Sequence, residues 1–483
     1  MSIVAFVLVF TTLVLVTLAV AEFALRILDV PFEIARKSFH LLAGTVCIVM
    51  TVQADSATPL VVTGLLFAGT LPVSIVLNLF KIQTRERGYG TVAFALGFAA
   101  VSYLDFERPV VLVAALVVLT YGDGLAAMVG TTIGRHEFGL GRTRKTFEGT
   151  VTFTFISWIG VATTLVVYRE VDPFTALAMA LLLAIVAGAV EAISTSDFDN
   201  LVLPLYSAIL LDVMLRPRGF PAVAVGYALC FLIVGGALWR HWVNLPGAIV
   251  ASLIIVTLFG IGEFIWLAPV VYLLVSSSLV SSVVRKRYTN PFSASEGARG
   301  LGQIAAKGIP SMVCGLVFAV TGDQIWFFVM LTVVATASSD TFASAIGALD
   351  EAETVPSLPS FVAVPKGMSG GISLYGTIAA FIATIPVAAF VLAGGGKVAE
   401  FLVVIVMGFV GANLDSVLGT TMQALYRCPA CGRRTEATRH CMRPTVLIKG
   451  HAWMTNEMVN AVSGVAAGAL AWGLLATARL LNS

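Results

Sequence analysis

Two stretches, YGDGLAAMVG at 121–130 and SSDTFASAIG at 338–347, each set one aspartate into an apolar run, Asp123 or Asp340, and follow it with the shared pattern Asp-x-x-Ala-x-x-x-Gly. An aspartate at the centre of a bilayer costs about 2.5–3.5 kcal/mol on insertion scales, so each is expected to face a wet cavity or the bundle interior and to have a function. The order continues downstream: Lys145 in RKTFEGT and Lys366 in PKGMSGG each stand just before a glycine-containing entry into another apolar helix. Ancestral duplication and convergent use of one site design account for this echo equally well.

Around Asp123 the polar residues gather at helix ends: Arg36, Lys37 and His40 in RKSFH; Arg87, Gly88 and Tyr89 in ERGYG; Arg144, Lys145 and Glu148; Glu191; then Asp197, Asp199 and Asn200. Cations beside carboxylates suit phosphoryl transfer, which needs Lys/Arg on phosphate oxygens, carboxylate or Asn on a divalent metal, and one proton acceptor. Asp123 and Glu191 are the candidates for that base. No Walker A or kinase-type glycine loop occurs, which argues against a soluble nucleotide-binding fold. Plainer readings stand beside these: His40 as a snorkelling flank, Arg144 and Lys145 as topogenic charges, Asp123 as a structural hydrogen-bonding group.

The second half offers GARGLGQIAAKG at 297–308, VPKGMSGGISLYGT, GANLDSVLGTTMQ and GHAWMTNEMVN. These supply acids and amides (Asp340; Asn413 and Asp415; Gln423; Asn456, Glu457 and Asn460) and cations (Arg299, Lys307, Lys366). Gly367, Gly370 and Gly371 allow a ligand close to the backbone, and N–H groups opening a helix favour phosphate; glycine serves helix packing as readily. The contrast with the first half is chemical. The first half carries Glu148 and Glu191 as possible proton acceptors, whereas Ser369 with glycines stands at the corresponding loop of the second.

Cys47, Cys230 and Cys314 lie in apolar stretches and read as buried thiols. Cys428, Cys431 and Cys441 form C-x2-C-x8-HC with His440 in RCPACGRRTEATRHC. That spacing suits a structural zinc knuckle, with His440 or His451 as fourth ligand; a redox pair or no metal are the alternatives, and a catalytic zinc does not fit.

These groups must be held by membrane helices. The chain is 58% hydrophobic and 12% charged, with mean hydropathy +0.96, against about 25% charged residues in a soluble domain. We expect an all-α, polytopic integral membrane bundle of about 14–16 helices in two halves, residues 1–215 and 216–483, with the Cys/His loop at 427–444. Residues 200–215 and 308–320 are short enough to be half-helices. The first apolar stretch lacks a basic leader and a cleavage site, so a retained helix is expected. Clusters of Lys and Arg at 36–37, 81–87, 135–145, 285–299 and 427–449 fall on one side of the expected helix count, which the positive-inside rule makes cytoplasmic. A cell-membrane protein with cytoplasmic active sites and both termini outside follows; no nucleic-acid partner is expected, and the oligomeric state is open.

RKSFH, ERGYG, GDGLAAMVGTTIG, RKTFEGT and E-x7-DN-x3-P, in that order, resemble the phytol kinase and dolichol kinase family, which uses CTP with magnesium to phosphorylate long isoprenoid alcohols. The resemblance implies nucleotide and Mg2+ at Asp123, Lys145, Glu148, Asp199 and Asn200, supported by Arg36, Lys37 and His40. The second-half motifs resemble the membrane family that includes plant phytyl-phosphate kinase, implying Asp340, Lys366, Asp415, Gln423, Asn456 and Asn460 as site residues, with 427–444 as an inserted loop. The combined reading is a bifunctional isoprenoid kinase making first the monophosphate and then the diphosphate. A membrane cytidylyltransferase and a secondary transporter with two repeats are the rivals.

Overall fold

The structure, a computed structural model, describes residues 2–77, 79–80, 89–140, 143–194, 198–285, 287 and 298–482. By their contacts these form two compact units, Met1–Ala224 and Val225–Ser483. Among the described residues, thirteen helices are long and apolar enough to cross a membrane.

The first unit runs α1 (Ile3–Ile27), α2 (Phe32–Gln53), α3 (Ala57–Val76), α4 (Gly90–Asp105), α5 (Pro109–Thr132), the hairpin β1 (Glu137–Leu140) and β2 (Thr143–Thr146), α6 (Phe147–Val167), α7 (Pro173–Ile193) and α8 (Asp199–Leu215). The division falls inside α9 (Gly219–Trp239), and the expected boundary after residue 215 lies a short turn upstream. Helix starts follow local chemistry. Asp172 accepts from the N–H groups of Phe174 at 3.0 Å and Thr175 at 3.1 Å, with Pro173 in the first turn. Thr146 accepts from Gly149 N–H at 3.2 Å and so starts α6 directly after Lys145.

The second unit continues with α10 (Leu245–Arg285), α11 (Leu301–Thr321), α12 (Ile325–Gly347), the hairpin β3 (Thr354–Pro356) and β4 (Ala363–Pro365), α13 (Leu374–Ala393) and α14 (Val398–Thr421). Then come the strands β5 (Leu425–Arg427), β6 (Arg434–Thr435), β7 (Arg439–His440), β8 (Arg443–Pro444) and β9 (Val446–Lys449), and finally α15 (Asn456–Asn482). Helix α10 is broken at Gly262 and Glu263, where Glu263 has φ 53°. The stretch 308–320 is no half-helix. It belongs to the 21-residue α11, which begins earlier because polar Gln303 and Lys307, four apart on one face, remain helical while lining a cavity.

The two aspartate helices are the cores of their units. In both α5 and α12, 83% of the apolar window is buried, against 28% in the peripheral α1 and α14. Helix α5 packs on α2, α6 and α8; α12 packs on α10, α11, α13, α14 and α15. The same element order recurs: aspartate helix, antiparallel hairpin, lysine, then a helix capped by Thr146 or by Ser373, which accepts from Gly376 N–H at 3.1 Å.

Helices α4 and α8 meet so closely at Gly97 that an added Cβ would lie 2.5 Å from the Asn200 carbonyl oxygen, whereas at Gly69 on α3 it would meet nothing. Gly97→Ala is therefore expected to lower the melting temperature of the detergent-purified protein, overpacking costing about 1–3 kcal/mol. Gly69→Ala should leave melting unchanged or raise it slightly; equal effects of the two changes would contradict the α4–α8 packing.

Candidate functional site

Helix α5 carries a π-helical turn at Val118–Asp123, a wide turn that frees backbone carbonyls and often marks functional positions. His40 Nε2 lies 2.9 Å from the Leu119 carbonyl oxygen, so that nitrogen carries its proton, and 3.7 Å from Asp123 Oδ2. Lys37 Nζ donates to the same carboxylate oxygen at 2.8 Å. Gly122 and Gly124 flank Asp123 because side chains there would collide with Ser157 of α6 and Leu41 of α2. The sequence motif GDG thus lets two helices close around one acid.

A second cation sits alongside. Lys145 Nζ is 2.5 Å from Glu191 Oε1 and 3.8 Å from Asp199 Oδ2, and Thr150 Oγ1 lies 3.5 Å from the other Glu191 oxygen. Burial alone would push the Lys145 ammonium down, but Glu191 and Asp199 outweigh it and hold the group above its ordinary value. Asp123 and Lys145 feel each other's charge, so the two clusters form one electrostatic constellation. Glu148 is engaged elsewhere, 2.7 Å from His136 Nδ1. Arg36 pairs with Glu33 at 2.7 Å. Lys81, Arg85, Arg87, Gly88 and Asp197 lie outside the described residues, as does the side chain of Arg144.

Arg36, Lys37, His40 and Asn200 form the polar head of a cavity of about 110 Å³ whose remaining wall is mostly apolar, built from Phe10, Val14, Leu18, Phe39, Phe67, Phe94 and Phe98 among others, with Thr63 and Thr91. Asn200 Nδ2 donates to the Gly90 carbonyl at 3.0 Å, which orients the amide. Its Oδ1 is buried and has no hydrogen-bond partner. Hydropathy pointed to none of these aromatic residues, because a phenylalanine facing a cavity reads the same as one facing lipid.

In the second unit, Arg299, Lys307, Asp340, Lys366, Gly370, Gly371, Asp415, Gln423, Asn456 and Asn460 all line one cavity of about 710 Å³. Lys307 Nζ donates to Asp340 Oδ2 at 2.8 Å and to Thr341 Oγ1 at 2.8 Å. Ser463 donates to Asp415 at 3.1 Å, and Arg299 to the Ser277 and Ser278 hydroxyls at 2.9 Å. Lys366 Nζ reaches the Asp350 carbonyl at 2.5 Å. Gly370, at φ +84°, touches α14 so closely that a Cβ would overlap Thr420 Oγ1.

The same cavity includes a residue that motif reading passed over, Glu436 of the cysteine loop. It accepts from Gln423 Nε2 at 2.9 Å and from Ser369 Oγ. Burial, and after it the nearby Glu457, push its carboxyl above the ordinary range against those hydrogen bonds. A lone Glu between a cysteine pair and a His–Cys pair carries no hydropathy signal; its place between paired metal-type ligands was the available clue. Cys428, Cys431, His440 and Cys441 converge, their ligand atoms all within 4.8 Å of one another.

Residues 228–468 match the family described as Integral membrane protein DUF92. Among curated proteins, the phytol kinase of Synechocystis sp. is 30% identical over 194 residues, 39% of this chain and 83% of that protein. An uncharacterised membrane protein of the same organism is 28% identical over 191 residues, 38% of this chain and 63% of that protein. Mouse dolichol kinase is 38% identical over 113 residues, 22% of this chain and only 20% of that protein. No solved structure matches.

Breaking a buried ion pair from one side costs about 3–5 kcal/mol, because the other charge is left uncompensated. The Lys37 and Asp123 side chains are 11% and 5% exposed, those of Lys307 and Asp340 26% and 23%. Lys37→Met should therefore depress thermal stability more than Lys307→Met, and Asp123→Asn added to Lys37→Met should restore part of the loss. Equal losses from the two lysines, or no recovery in the double variant, would contradict the pairing.

Proposed function

The chain belongs to the phytol kinase family of membrane proteins, and on that premise we propose that it is an isoprenoid kinase whose two units act in turn. Residues 1–215 would phosphorylate a long-chain isoprenoid alcohol, and residues 216–483 would phosphorylate the monophosphate to the diphosphate. The observation that carries the first step is the cavity with a polar head and an aromatic wall. A prenyl chain coming from the bilayer would find such a wall as apolar as lipid, with its hydroxyl left at the polar end. There the free Asn200 Oδ1 is an acceptor for that hydroxyl.

In the first step the alcohol oxygen bonds to the γ-phosphorus, the bond from that phosphorus to the β-phosphate oxygen breaks, and a nucleoside diphosphate leaves. The hydroxyl proton goes to Asp123, whose partners Lys37 and His40 line the same cavity. Lys145, held by Glu191 and Asp199, would screen the phosphates. For the second step the nucleophile is already anionic. Lys307, Arg299 and Lys366 would align it, and no base is required.

Magnesium fits both donor sets. Asp340, Asp415 and Glu457 bring hard oxygen ligands to one cavity, and Asp199 does so in the first unit, next to Asp123. When bound, Mg2+ neutralises phosphate charge. The proposed donor is CTP, which competition with ATP would decide. We place both sites on the cytoplasmic side with the termini outside, on the distribution of Lys and Arg.

Variants separate the steps. Asp123→Asn protein supplied with geranylgeraniol and labelled CTP should make no product but still convert geranylgeranyl monophosphate to the diphosphate. Asp340→Asn should accumulate monophosphate. If either change abolishes both conversions in protein that melts normally, the two-site assignment is wrong.

A further inference from the structure

Strand β5 pairs with β6 and β9, and β7 pairs with β8. The β5–β6 turn carries Cys428 and Cys431 and is closed by Gly432 N–H to the Cys428 carbonyl at 2.9 Å and Cys428 N–H to the Arg433 carbonyl at 2.9 Å. Gly432 has φ +73°, the left-handed backbone that glycine tolerates, and the turn keeps both thiols on one side. The β7–β8 turn carries His440 and Cys441. There Cys441 and Met442 hold φ 50° and 59°, a conformation that non-glycine residues keep only when their surroundings impose it.

What lies between these turns supplies a reason. His440 Nδ1 is 3.5 Å from Cys431 Sγ and 3.2 Å from Cys441 Sγ. Ligands around tetrahedral zinc, with Zn–S near 2.3 Å and Zn–N near 2.0 Å, stand about 3.6 Å apart. Two of the nitrogen–sulfur separations are therefore close to those between corners of a zinc tetrahedron, and all four ligand atoms, Cys428 Sγ included, lie within 4.8 Å of one another.

Glu436 lies on the segment joining the two ligand pairs, between Cys431 and His440. From there it reaches Ser369, in the glycine turn that also carries Gly370, and Gln423, beyond the end of α14. Both hydrogen bonds end on its Oε1. The loop thus ties the glycine turn to α14 across the wall of the second cavity.

We propose that Cys428, Cys431, His440 and Cys441 hold one Zn2+, and that this ion clamps the intervening segment so that Glu436 positions Ser369 and Gln423 for the phosphate-bearing substrate of the second unit. Glu436 is a positioning residue: the atoms it orients, rather than its own charge, meet the substrate. The statement about substrate rests on the kinase reading above; the statement about zinc and the clamp does not.

The full-length protein, purified in detergent after expression with zinc, should contain about one zinc per chain by elemental analysis, and Cys428→Ser with Cys431→Ser should lose it. Hydrogen exchange at 367–373 and at Gln423 should quicken in that variant, while exchange in α5 stays as it was. Folded wild-type protein without zinc, a disulfide among these cysteines, or unchanged exchange at 367–373 would overturn the clamp. With geranylgeranyl monophosphate as substrate, Glu436→Ala should raise KM about tenfold or more with a smaller effect on kcat, as loss of outer partners does at other sites. Glu436→Gln should restore KM, because its amide oxygen accepts both hydrogen bonds. A glutamine variant as poor as the alanine would overturn the positioning role. Zinc content and exchange are read without turnover, so a protein that shows the clamp but transfers no phosphate would refute the kinase reading alone, and active protein without zinc would refute the clamp alone.

Discussion

Everything in each unit is arranged around a lysine ammonium 2.8 Å from an aspartate in the middle of an apolar bundle. In the first unit neither charge is tolerable there alone, since each would lose several kcal/mol of hydration with nothing to replace it, whereas the second pair, 26% and 23% exposed, borders a polar cavity. The pair therefore dictates its surroundings. The aspartate helix must be central, its neighbours must approach closely enough to enclose the acid, and small residues must stand where they do so. GDG around Asp123 and the buried Ser338 and Ser339 before Asp340 meet that demand in different ways. Gly122 and Gly124 admit α6 and α2, whereas the serines donate to carbonyls of α13 at 3.3 and 2.9 Å.

The two pairs then diverge in what surrounds them. Beside Lys37 and Asp123 stand a second cation held by two carboxylates and a cavity that turns from polar to aromatic over a short distance. Around Lys307 and Asp340 is a much larger polar chamber, lined also by Arg299 and Lys366 and walled in part by the cysteine loop. A neutral hydroxyl on a long apolar tail matches the first environment. An anionic head matches the second.

Much of this was legible in the sequence because membrane insertion makes polar residues conspicuous. The helical stretches, the costly aspartates and the cysteine spacing each stand out against a chain that is 58% hydrophobic. Partner choice did not stand out. Lys37 with Asp123 and Lys307 with Asp340 are joined by helix packing across 86 and 33 residues, which no local pattern encodes. Nor did Glu148 announce its bond to His136, or Glu436 its place in a cavity formed by helices far away in sequence. The short reading of 308–320 failed for a related reason: a window of hydropathy drops where a helix turns Gln303 and Lys307 to a wet interior, although the helix continues.

The central claim is succession, alcohol to monophosphate to diphosphate, within one chain. Its most direct measurement is a time course of wild-type protein with geranylgeraniol and CTP labelled in the γ-phosphate, with products separated by chain-bound phosphate. The account predicts labelled monophosphate rising first, then labelled diphosphate carrying label in both phosphates as the monophosphate declines. Monophosphate that never proceeds further, or label released only as pyrophosphate beside a CMP-bearing lipid, would contradict it.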